Sequence, residues 1–406
     1  MKKKVTVVYD GQFGSTGKGL MAGYLAEFSL QPDVCITSWG PNAGHTYYDS
    51  RGNKMVHTML AQGIVSPKIR HQLISAGSYV HLDNLCREID TALHFGYGDY
   101  EVLIHENAAI CGDDAAQMER AETNQIGSTQ KGMGASMVRK IHRRTDSTTP
   151  AVFGQVRKYW QQPMATIQSA TSGQKVVVRM VSQQEYNKMV DQAQQIMVEG
   201  AQGFSLGINS GMYPYTTSRE CGVAQILSDA QIPPAMVQRT ICCIRTFPIR
   251  VANRWQESSR RPNHLETSTM IGYSGPHYED QREISWADLH EEPEVTTVTK
   301  LERRVFTFSP TQLHDCLRAN SMGEDDEIFL NFVNYLKEDK SGYLDPALVP
   351  NAGWHTAQEF IDRVGNIAST YGAKVRYLGH GARPEDITDL QTSGMAMNTQ
   401  EPSCRK

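Results

Sequence analysis

The chain lacks several features that would place it in a specialised class of protein. None of its eight cysteines forms a CxxC pair, and apart from the neighbours Cys242 and Cys243 they are scattered singly. This pattern favours reduced thiols over a disulfide framework. No stretch approaches the roughly 18 consecutive apolar residues of a membrane-spanning helix, and the first apolar run is too short for a signal peptide. We therefore expect a cytoplasmic protein that makes no use of a membrane.

An excess of positive charge is also missing. The formal net charge is −4 over 406 residues, whereas proteins that bind nucleic acid backbones are usually basic. The sequence has neither an internal repeat nor a low-complexity tract. Because 39% of the residues are hydrophobic and 21% are charged, the chain can bury a substantial core and is not globally disordered. We expect an ordered protein that does not bind DNA or RNA.

Apolar, β-branched runs alternate with helical patterns along the chain. The spacing predicts helices over residues 20–30 and 83–96, and this alternation favours α/β architecture with a mostly parallel, mixed and twisted sheet. We expect one large domain over residues 1–390, followed by a flexible tail over residues 391–406. The predicted strands lie within residues 5–9, 33–40, 71–80, 100–110, 174–181, 195–203, 237–253, 327–336 and 372–387.

The stretch "GQFGSTGKG", residues 11–19, almost forms a phosphate-binding loop. Counting back from Gly17 and Lys18, the first glycine of the common motif would fall at Gln12, and Gly19 follows where that motif has Ser or Thr. The physical requirements are nevertheless met. Glycines let backbone N–H groups approach an anion, Lys18 adds charge, and a helix beginning near residue 19 directs its N-terminus at the site. We therefore expect a phosphate site of a different family.

Four further loops carry polar side chains next to glycine. In "WGPNAGHT" (39–46), Asn42 and His45 follow a predicted strand, at the end where α/β proteins bind ligands. The other three, "IGSTQKGMG" (126–134), "EGAQG" (199–203) and "YPYTTS" (213–218), offer hydroxyl, amide and lysine groups. Each alone is weak evidence, because a loop histidine or a basic helix face such as "RKIHRR" (139–144) is commonly only solvated surface.

Taken together, and with "TTVTKLERRV" (296–305), these segments follow an order that resembles the adenylosuccinate synthetase family. The resemblance covers about residues 3–390. It implies a single α/β domain with a phosphate-loop-like nucleotide-binding core, working as a homodimer with Mg²⁺. It also implies a C–N ligase reaction in two steps. A nucleoside triphosphate phosphorylates O6 of a 6-oxopurine nucleotide, and the amine of L-aspartate then displaces that phosphate.

The resemblance assigns roles to particular positions of this chain. His45, Lys18 and Ser15 fall at catalytic positions, and Ser15 and the Gly44 carbonyl fall where Mg²⁺ is held. Residues matched to the ATP site are Ser15, Thr16, Gly17, Lys18, Gly19, Gly44, His45, Thr46, Asn331, Asn334, Gly379 and Gly381. Residues matched to the purine nucleotide are Ser15, Asn42, Ser128, Thr129, Gln202, Thr217 and, across the dimer, Arg143. Residues matched to aspartate are Thr296, Thr297, Val298, Thr299, Arg303 and Arg304.

Three departures from the family pattern narrow the substrate. Ser15-Thr16 replaces an Asp-Glu pair, which removes a carboxylate base and leaves room beside the purine for a 2-amino group. The segment "NFVN" (331–334) replaces the Thr-Lys-Leu-Asp segment with which the family recognises guanine in GTP. An asparagine side chain can instead form hydrogen bonds with the edge of adenine. In one alignment of this segment with the family pattern, Leu301 replaces an arginine that faces the ribose 2′-hydroxyl. The chain therefore resembles a bacteriophage branch of the family that condenses dGMP with aspartate, using ATP or dATP, for diaminopurine DNA.

Two other functions compete with this one. An ordinary adenylosuccinate synthetase would use IMP and GTP with an altered loop, and a nucleotide-binding module without catalysis would explain the lost carboxylate. The group that deprotonates purine N1 also stays open from sequence: substrate assistance, the phosphate, or a water relayed by Ser15 are the alternatives. The sequence likewise leaves open the choice between ATP and dATP and the register of residues 294–305.

Overall fold

A computed structural model describes residues 2–122, 126, 130–144, 164–169, 172–257, 268–295, 301–349 and 354–392. Its helices are α1 (Lys18–Tyr24, continued by a π-helix over Leu25–Ser29), α2 (Leu82–His94), α3 (Asp113–Glu122), α4 (Met133–Ile141), α5 (Gln183–Gln192), α6 (Val223–Asp229), α7 (Pro310–Asn320) and α8 (Ala357–Ser369). No helix in these ranges is both long and apolar enough to span a membrane.

The strands alternate with these helices along the chain. They are β1 (Val5–Asp10), β2 (Val34–Thr37), β3 (His45–Tyr48), β4 (Lys54–His57), β5 (His71–Ile74), β6 (Tyr79–Val80), β7 (Tyr100–His105), β8 (Ala109–Ile110), β9 (Met164–Gln168), β10 (Lys175–Val181), β11 (Ile196–Glu199), β12 (Val237–Arg245), β13 (Ile249–Arg250), β14 (Arg254–Glu257), β15 (Ser268–Gly272), β16 (Glu283–Ile284), β17 (Arg304–Phe306), β18 (Glu327–Asn331), β19 (Lys374–Gly379) and β20 (Ile387–Asp389).

Eleven strands form one large sheet in the order β20-β19-β18-β12-β1-β11-β2-β5-β7-β10-β9. The pairs from β19 to β10 are parallel, and only the edge strands β20 and β9 are antiparallel. The predicted fold class, a mostly parallel mixed sheet, is confirmed. Strand β1 is central, with β12 on one side and β11 on the other. The chain reverses its direction of travel across the sheet here, and in open α/β sheets ligands bind at such a point, beyond the carboxyl ends of the strands.

Both faces of the sheet are buried, which explains why its strands are continuously apolar instead of alternating. Along β1, Val5, Val7 and Tyr9 pack into the core on one face, whereas Val8 packs into the core on the other. Helices α1 and α2 cover the second face, and α5 to α8 cover the first. The sheet is therefore a rigid platform whose carboxyl edge carries the loops.

Several element boundaries differ from the sequence-based expectation. The strand expected over 237–253 ends at Arg245 and resumes as the short β13, and the strand expected over 327–336 ends at Asn331. After Asn331 the chain turns through Phe332, whose φ of 60° is left-handed, into a short 3₁₀-helix. Residues 393–406, most of the predicted tail, lie outside the described residues.

Candidate active site

The loop between β1 and α1 is organised around Asp10, the last residue of β1. Asp10 is buried, and its Oδ1 accepts hydrogen bonds from the backbone N–H groups of Gln12 and Gly14 at 2.9 and 3.2 Å. Its Oδ2 accepts from Thr16 Oγ1 at 2.6 Å and from Lys18 Nζ at 3.0 Å. One carboxylate thus fixes the curvature of the whole loop. The local sequence indicates only that Asp10 ends a strand, and it does not indicate that Asp10 organises the loop.

Three residues of the loop adopt left-handed backbone conformations. Gly14 and Gly17 have φ values of 89° and 93°, and between them Ser15 has a φ of 58°. Left-handed residues in a tight turn allow successive backbone N–H groups to point toward one place, which is the geometry of an anion-binding concavity. The side chain of Ser15 is exposed, whereas its neighbours Gly14 and Thr16 are buried. Ser15 therefore presents its hydroxyl on the open side of the loop, as a substrate contact requires.

Lys18, the first residue of α1, joins the loop to the neighbouring strand. Its Nζ donates to Asp10 Oδ2 and to the Gln202 carbonyl, both at 3.0 Å, and the side chain is only 6% exposed. A cation at a helix N-terminus opposes the helix dipole, and the Asp10 carboxylate offsets that repulsion. The arrangement places positive charge and the helix N-terminus together beside the loop, as the sequence predicted for a phosphate site.

Asn331, at the carboxyl end of β18, lies beneath the loop. Its Nδ2 donates to the Thr16 carbonyl at 3.2 Å, and its Oδ1 accepts from the Phe332 N–H at 2.9 Å. A Cβ atom on Gly17 or on Gly379 would approach this carboxamide within 2.2 and 2.1 Å, so both glycines are required by close packing. The structure therefore gives Asn331 a supporting role. The adenine contact predicted for it stays a prediction, as do the contacts of Asn334, which is exposed, and Gly381, which is half-buried.

His45 begins β3 and pairs with a carboxylate that the sequence did not single out. Its Nδ1 is hydrogen-bonded to Oε1 of Glu199, the last residue of β11, and both side chains are buried. The other oxygen of Glu199 accepts the Gln62 N–H at 2.8 Å, and Gln62 Nε2 donates back to the His45 carbonyl at 2.6 Å. The His45 ring also packs on Trp39, with ring centroids 4.4 Å apart. These contacts fix the orientation of the imidazole and leave Nε2 as its remaining nitrogen.

A second histidine lies across the same hairpin. His57 is the register partner of His45 in the β3–β4 pair and is 1% exposed. Burial lowers the pKa of the His57 imidazole to about 4, with a smaller contribution from His45. His57 is therefore neutral near pH 7 and adds no charge next to the pair of His45 and Glu199.

A cavity of about 330 Å³ opens beside the phosphate loop. It is lined by three residues that the sequence assigned to the purine nucleotide, Asn42, Gln202 and Thr217. Gln202 has a left-handed backbone, with a φ of 62°, and its Nε2 donates to the Asn42 carbonyl at 3.4 Å. Side chains that are distant in sequence thus converge on one space of nucleotide size. Ser128 and Thr129, assigned to the same nucleotide, lie outside the described residues.

Other predicted positions surround this centre. Gly44, which precedes β3, and Thr46, the second residue of β3, are both exposed. Gly19 packs against β3 so closely that a Cβ atom would lie 2.8 Å from the Thr46 carbonyl oxygen. Arg143 follows α4 with a left-handed φ of 56°, and its side chain is exposed. It does not line the cavity of its own chain, and its action across a dimer stays a prediction.

The predicted aspartate segment is described only at its ends, because Thr296, Thr297, Val298 and Thr299 lie outside the described residues. At its exit, Arg304 forms a two-point ion pair with Glu283 and also donates to the Gly275 carbonyl at 2.6 Å. As an aspartate ligand Arg304 would have to share its guanidinium with this carboxylate. Arg303 is mostly buried, and burial lowers the pKa of its guanidinium although the nearby Glu294 carboxylate opposes the shift.

Arg245, at the carboxyl end of β12, connects the phosphate loop with the beginning of the predicted aspartate segment. The side chain is fully buried, and its Nη1 donates to the Ser15 carbonyl at 3.1 Å. Its two terminal nitrogens also contact the carboxylate of Glu294, the nearer at 2.5 Å. Burial raises the pKa of the Glu294 carboxyl, but Arg245 and Arg303 outweigh burial and hold that pKa below its ordinary value. No local feature of the sequence indicates this contact.

The donor atoms present fit Mg²⁺ held mainly by phosphate. The described residues contain no group of three His, Cys, Asp or Glu side chains able to hold a metal ion. Mg²⁺ in nucleotide sites commonly takes only one or two protein ligands and completes its shell with phosphate oxygens and water. The exposed Ser15 hydroxyl and the Gly44 carbonyl, beside the phosphate loop, are oxygen donors of this kind.

The chain is similar to known proteins over the segments that form this site. The family model described as Adenylosuccinate synthetase matches residues 7–324. The N6-succino-2-amino-2'-deoxyadenylate synthase of Salmonella phage PMBT28 is 46% identical over 339 residues, which are 83% of this chain and 87% of that protein. The enzyme of the same name from Acinetobacter phage SH-Ab 15497 is 45% identical over 398 residues, 93% of this chain and 92% of that protein.

Two solved structures share the fold. The succinoaminodeoxyadenylate synthetase of cyanophage S-2L, bound to dGMP and to dATP as an energy donor, superposes with a TM-score of 0.74 at 33% identity over 96% of both chains. The fully ligated adenylosuccinate synthetase of Plasmodium falciparum superposes with a TM-score of 0.67 at 16% identity, covering 95% of this chain and 99% of that one. The second likeness concerns the fold alone.

Proposed function

Because the chain belongs to the adenylosuccinate synthetase family, we propose that it is a C–N ligase that condenses dGMP with L-aspartate at the expense of ATP or dATP. One observation favours dGMP over IMP as the acceptor substrate. Ser15 presents a short, exposed hydroxyl on the phosphate loop, where the family pattern has an aspartate. A hydroxyl leaves space for the 2-amino group of guanine. The names of the phage relatives and the dGMP in the cyanophage structure support the same substrate.

The first step transfers the γ-phosphoryl group to O6 of the purine. The loop N–H groups, Lys18 and the N-terminus of α1 hold the triphosphate, and O6 forms the new bond to phosphorus as the nucleoside diphosphate leaves. His45, oriented by Glu199, directs Nε2 at the transferring group and stabilises the charge that develops there. Fixed groups that need no reorganisation during the reaction contribute most to phosphoryl transfer.

Mg²⁺ would be held by Ser15, the Gly44 carbonyl and phosphate oxygens, and it would supply additional positive charge for this transfer. Asp10 is not available to take the N1 proton of the purine, because two backbone N–H groups, Thr16 and Lys18 already occupy its oxygens. The described part of the loop thus lacks a free carboxylate base.

In the second step the aspartate amine attacks C6, and phosphate leaves with the former O6. The products are ADP or dADP, inorganic phosphate and 2-amino-2'-deoxy-N6-succinyladenylate. Arg303 and the hydroxyls of the segment 296–299 orient aspartate, since a dicarboxylate binds well to guanidinium groups and hydroxyl donors. The enzyme works as a homodimer in which Arg143 reaches the nucleotide phosphate of the partner subunit, and it acts in the cytoplasm of the host cell.

A steady-state comparison of substrates tests this proposal. Phosphate release is measured with dGMP or IMP as acceptor, each combined with ATP, dATP or GTP, and always with and without L-aspartate. We expect aspartate-dependent release with dGMP and an adenine nucleotide. Turnover of IMP with GTP and none of dGMP would identify an ordinary adenylosuccinate synthetase. Release that does not depend on aspartate, or no release with any pair, would refute the ligase assignment.

A further inference from the structure

Arg250, in β13, is a buried cation that pairs with no carboxylate of the described residues. It is 2% exposed, and its Nε and Nη2 donate to the backbone carbonyls of Ser274 and Tyr215, both at 2.8 Å. Its guanidinium stacks on the Phe13 ring, 4.6 Å from the centroid. Among the described residues, Nη1 has no hydrogen-bond partner. An unpaired buried charge is costly for folding and is retained where it has a function.

Arg250 also lines the cavity that contains Asn42, Gln202 and Thr217. It is the only Lys or Arg among the described lining residues, whose other charged member is Glu119. Burial and the neighbouring charge of Arg304 lower the pKa of the Arg250 guanidinium to about 10. The side chain therefore remains charged at neutral pH, and the cavity has one fixed positive charge on this wall.

The position of Arg250 indicates which anion it serves. Phe13, under its guanidinium, directly precedes the left-handed Gly14 and Ser15 of the phosphate loop. On the other side, Arg250 is the register partner of Arg304, at the exit of the predicted aspartate segment. Arg304 is neutralised by Glu283, whereas none of the carboxylates in the described ranges neutralises Arg250. Arg250 thus lies between the loop where O6 is phosphorylated and the segment that delivers the second substrate.

The nucleotide phosphate has other candidate donors. Thr217, which lines the cavity, and Arg143, which the resemblance places across the dimer, are already assigned to the purine nucleotide. The anion left for Arg250 is therefore a carboxylate of the amino acid substrate.

We propose that Arg250 binds a carboxylate of L-aspartate through Nη1, while Nε and Nη2 keep the guanidinium fixed against the Ser274 and Tyr215 carbonyls. This inference rests on the proposed function, because it names a further residue of the same site. Two of the three nitrogens are already committed, so the guanidinium is held in place before aspartate arrives. A preorganised donor of this kind binds a carboxylate more strongly than a mobile side chain.

The variant Arg250→Met, which removes the charge at similar length, tests the proposal. We expect the KM for L-aspartate to rise on the order of 10- to 100-fold, as for the loss of a charge-assisted hydrogen bond, while the KM for dGMP changes less than about threefold. Arg239→Met is the matched control, since Arg239 is a partly buried arginine of β12 that pairs with Glu327 away from the cavity. Its KM values should equal those of the unaltered enzyme.

A rise in the KM for dGMP with no change for aspartate would overturn the proposal in favour of a nucleotide contact. Unchanged KM values for both substrates would overturn it in favour of a purely structural role. If Arg250→Met does not fold, Arg250→Lys replaces it. Lysine keeps the charge but cannot hold both carbonyls and a carboxylate, so an unchanged KM for aspartate in this variant also overturns the proposal.

A direct measurement separates this inference from the identity of the nucleotide. Equilibrium dialysis of radiolabelled L-aspartate is carried out on the full chain, with either dGMP or IMP and a non-hydrolysable ATP analogue. If the enzyme fails to turn over dGMP, the proposed function is wrong, but loss of aspartate binding in Arg250→Met with IMP still supports the role of Arg250. Equal aspartate binding by the variant and the unaltered enzyme refutes that role.

Discussion

The contact between His45 and Glu199 makes a quantitative prediction for the variant Glu199→Gln. In the unaltered chain, Glu199 accepts from two donors, the His45 ring and the Gln62 N–H. A glutamine at position 199 has only one oxygen, and the Gln62 backbone N–H requires it. The amide NH₂ group then faces Nδ1 of His45, which turns that nitrogen into an acceptor and moves the ring proton to Nε2. The imidazole loses both the tautomer that the contact with Glu199 favours and the neighbouring negative charge.

A hydrogen bond to a charged group contributes about 1.5–3 kcal/mol, so we expect kcat to fall about 10- to 100-fold. The KM for dGMP should change less than about threefold, because Glu199 does not line the nucleotide cavity. Initial rates of phosphate release at saturating ATP and aspartate measure both constants. His45→Ala and the double variant complete the cycle.

Since Glu199 acts through His45, the double variant should be no slower than His45→Ala alone. Multiplicative losses in the double variant would show that the two residues act independently. An unchanged kcat in Glu199→Gln would refute the orientation role altogether.

Three further predictions follow from other contacts. Ser15→Asp should lower kcat/KM for dGMP at least about tenfold more than for IMP, because the carboxylate fills the space of the 2-amino group; equal losses would contradict that explanation. Asp10→Asn should lower the free energy of unfolding by about 3–5 kcal/mol in urea titrations, since it leaves the buried Lys18 charge unpaired; a loss below about 1 kcal/mol would argue against the pairing. His57 has a pKa near 4 when folded and 6.5 as its ordinary value, so the unfolded chain binds its proton first as the pH falls. The free energy of unfolding should therefore fall progressively by about 3 kcal/mol between pH 6.5 and pH 4. This decrease should be absent in His57→Gln.

The sequence predicted the parts of this molecule that depend on local patterns. Strand β1, its glycine loop and α1 were recognisable because β-branched residues, glycines and helical spacing follow each other within thirty residues. The motifs also predicted the family, which the comparisons confirm. Asn42, Gln202 and Thr217 were expected to meet, and they line one cavity. Loops at the carboxyl ends of parallel strands share one edge, so this convergence follows from topology.

The supporting residues could not be predicted, because their partners are distant in sequence. Glu199 contacts a histidine 154 positions away, and Asn331 contacts the Thr16 carbonyl 315 positions away. In the sequence, a polar residue at the end of a strand looks like the beginning of a loop. The roles of Asp10, Glu199 and Arg245 could not be recognised for this reason. Asn331, whose adenine contact stays a prediction, also packs between two glycines, and sequence spacing does not reveal this detail of tertiary structure.

The guanidinium of Arg245 has a thermodynamic consequence. It joins the Ser15 carbonyl in the nucleotide loop to the Glu294 carboxylate at the entrance of the aspartate segment. Because one fully buried group touches both, a shift of the phosphate loop that alters the position of Arg245 also alters its contact with Glu294, which precedes the predicted aspartate segment. Such coupling is reciprocal: if bound nucleotide tightens aspartate binding by some factor, bound aspartate tightens nucleotide binding by the same factor. An affinity measured for either substrate alone therefore describes a different equilibrium from the one that operates during turnover.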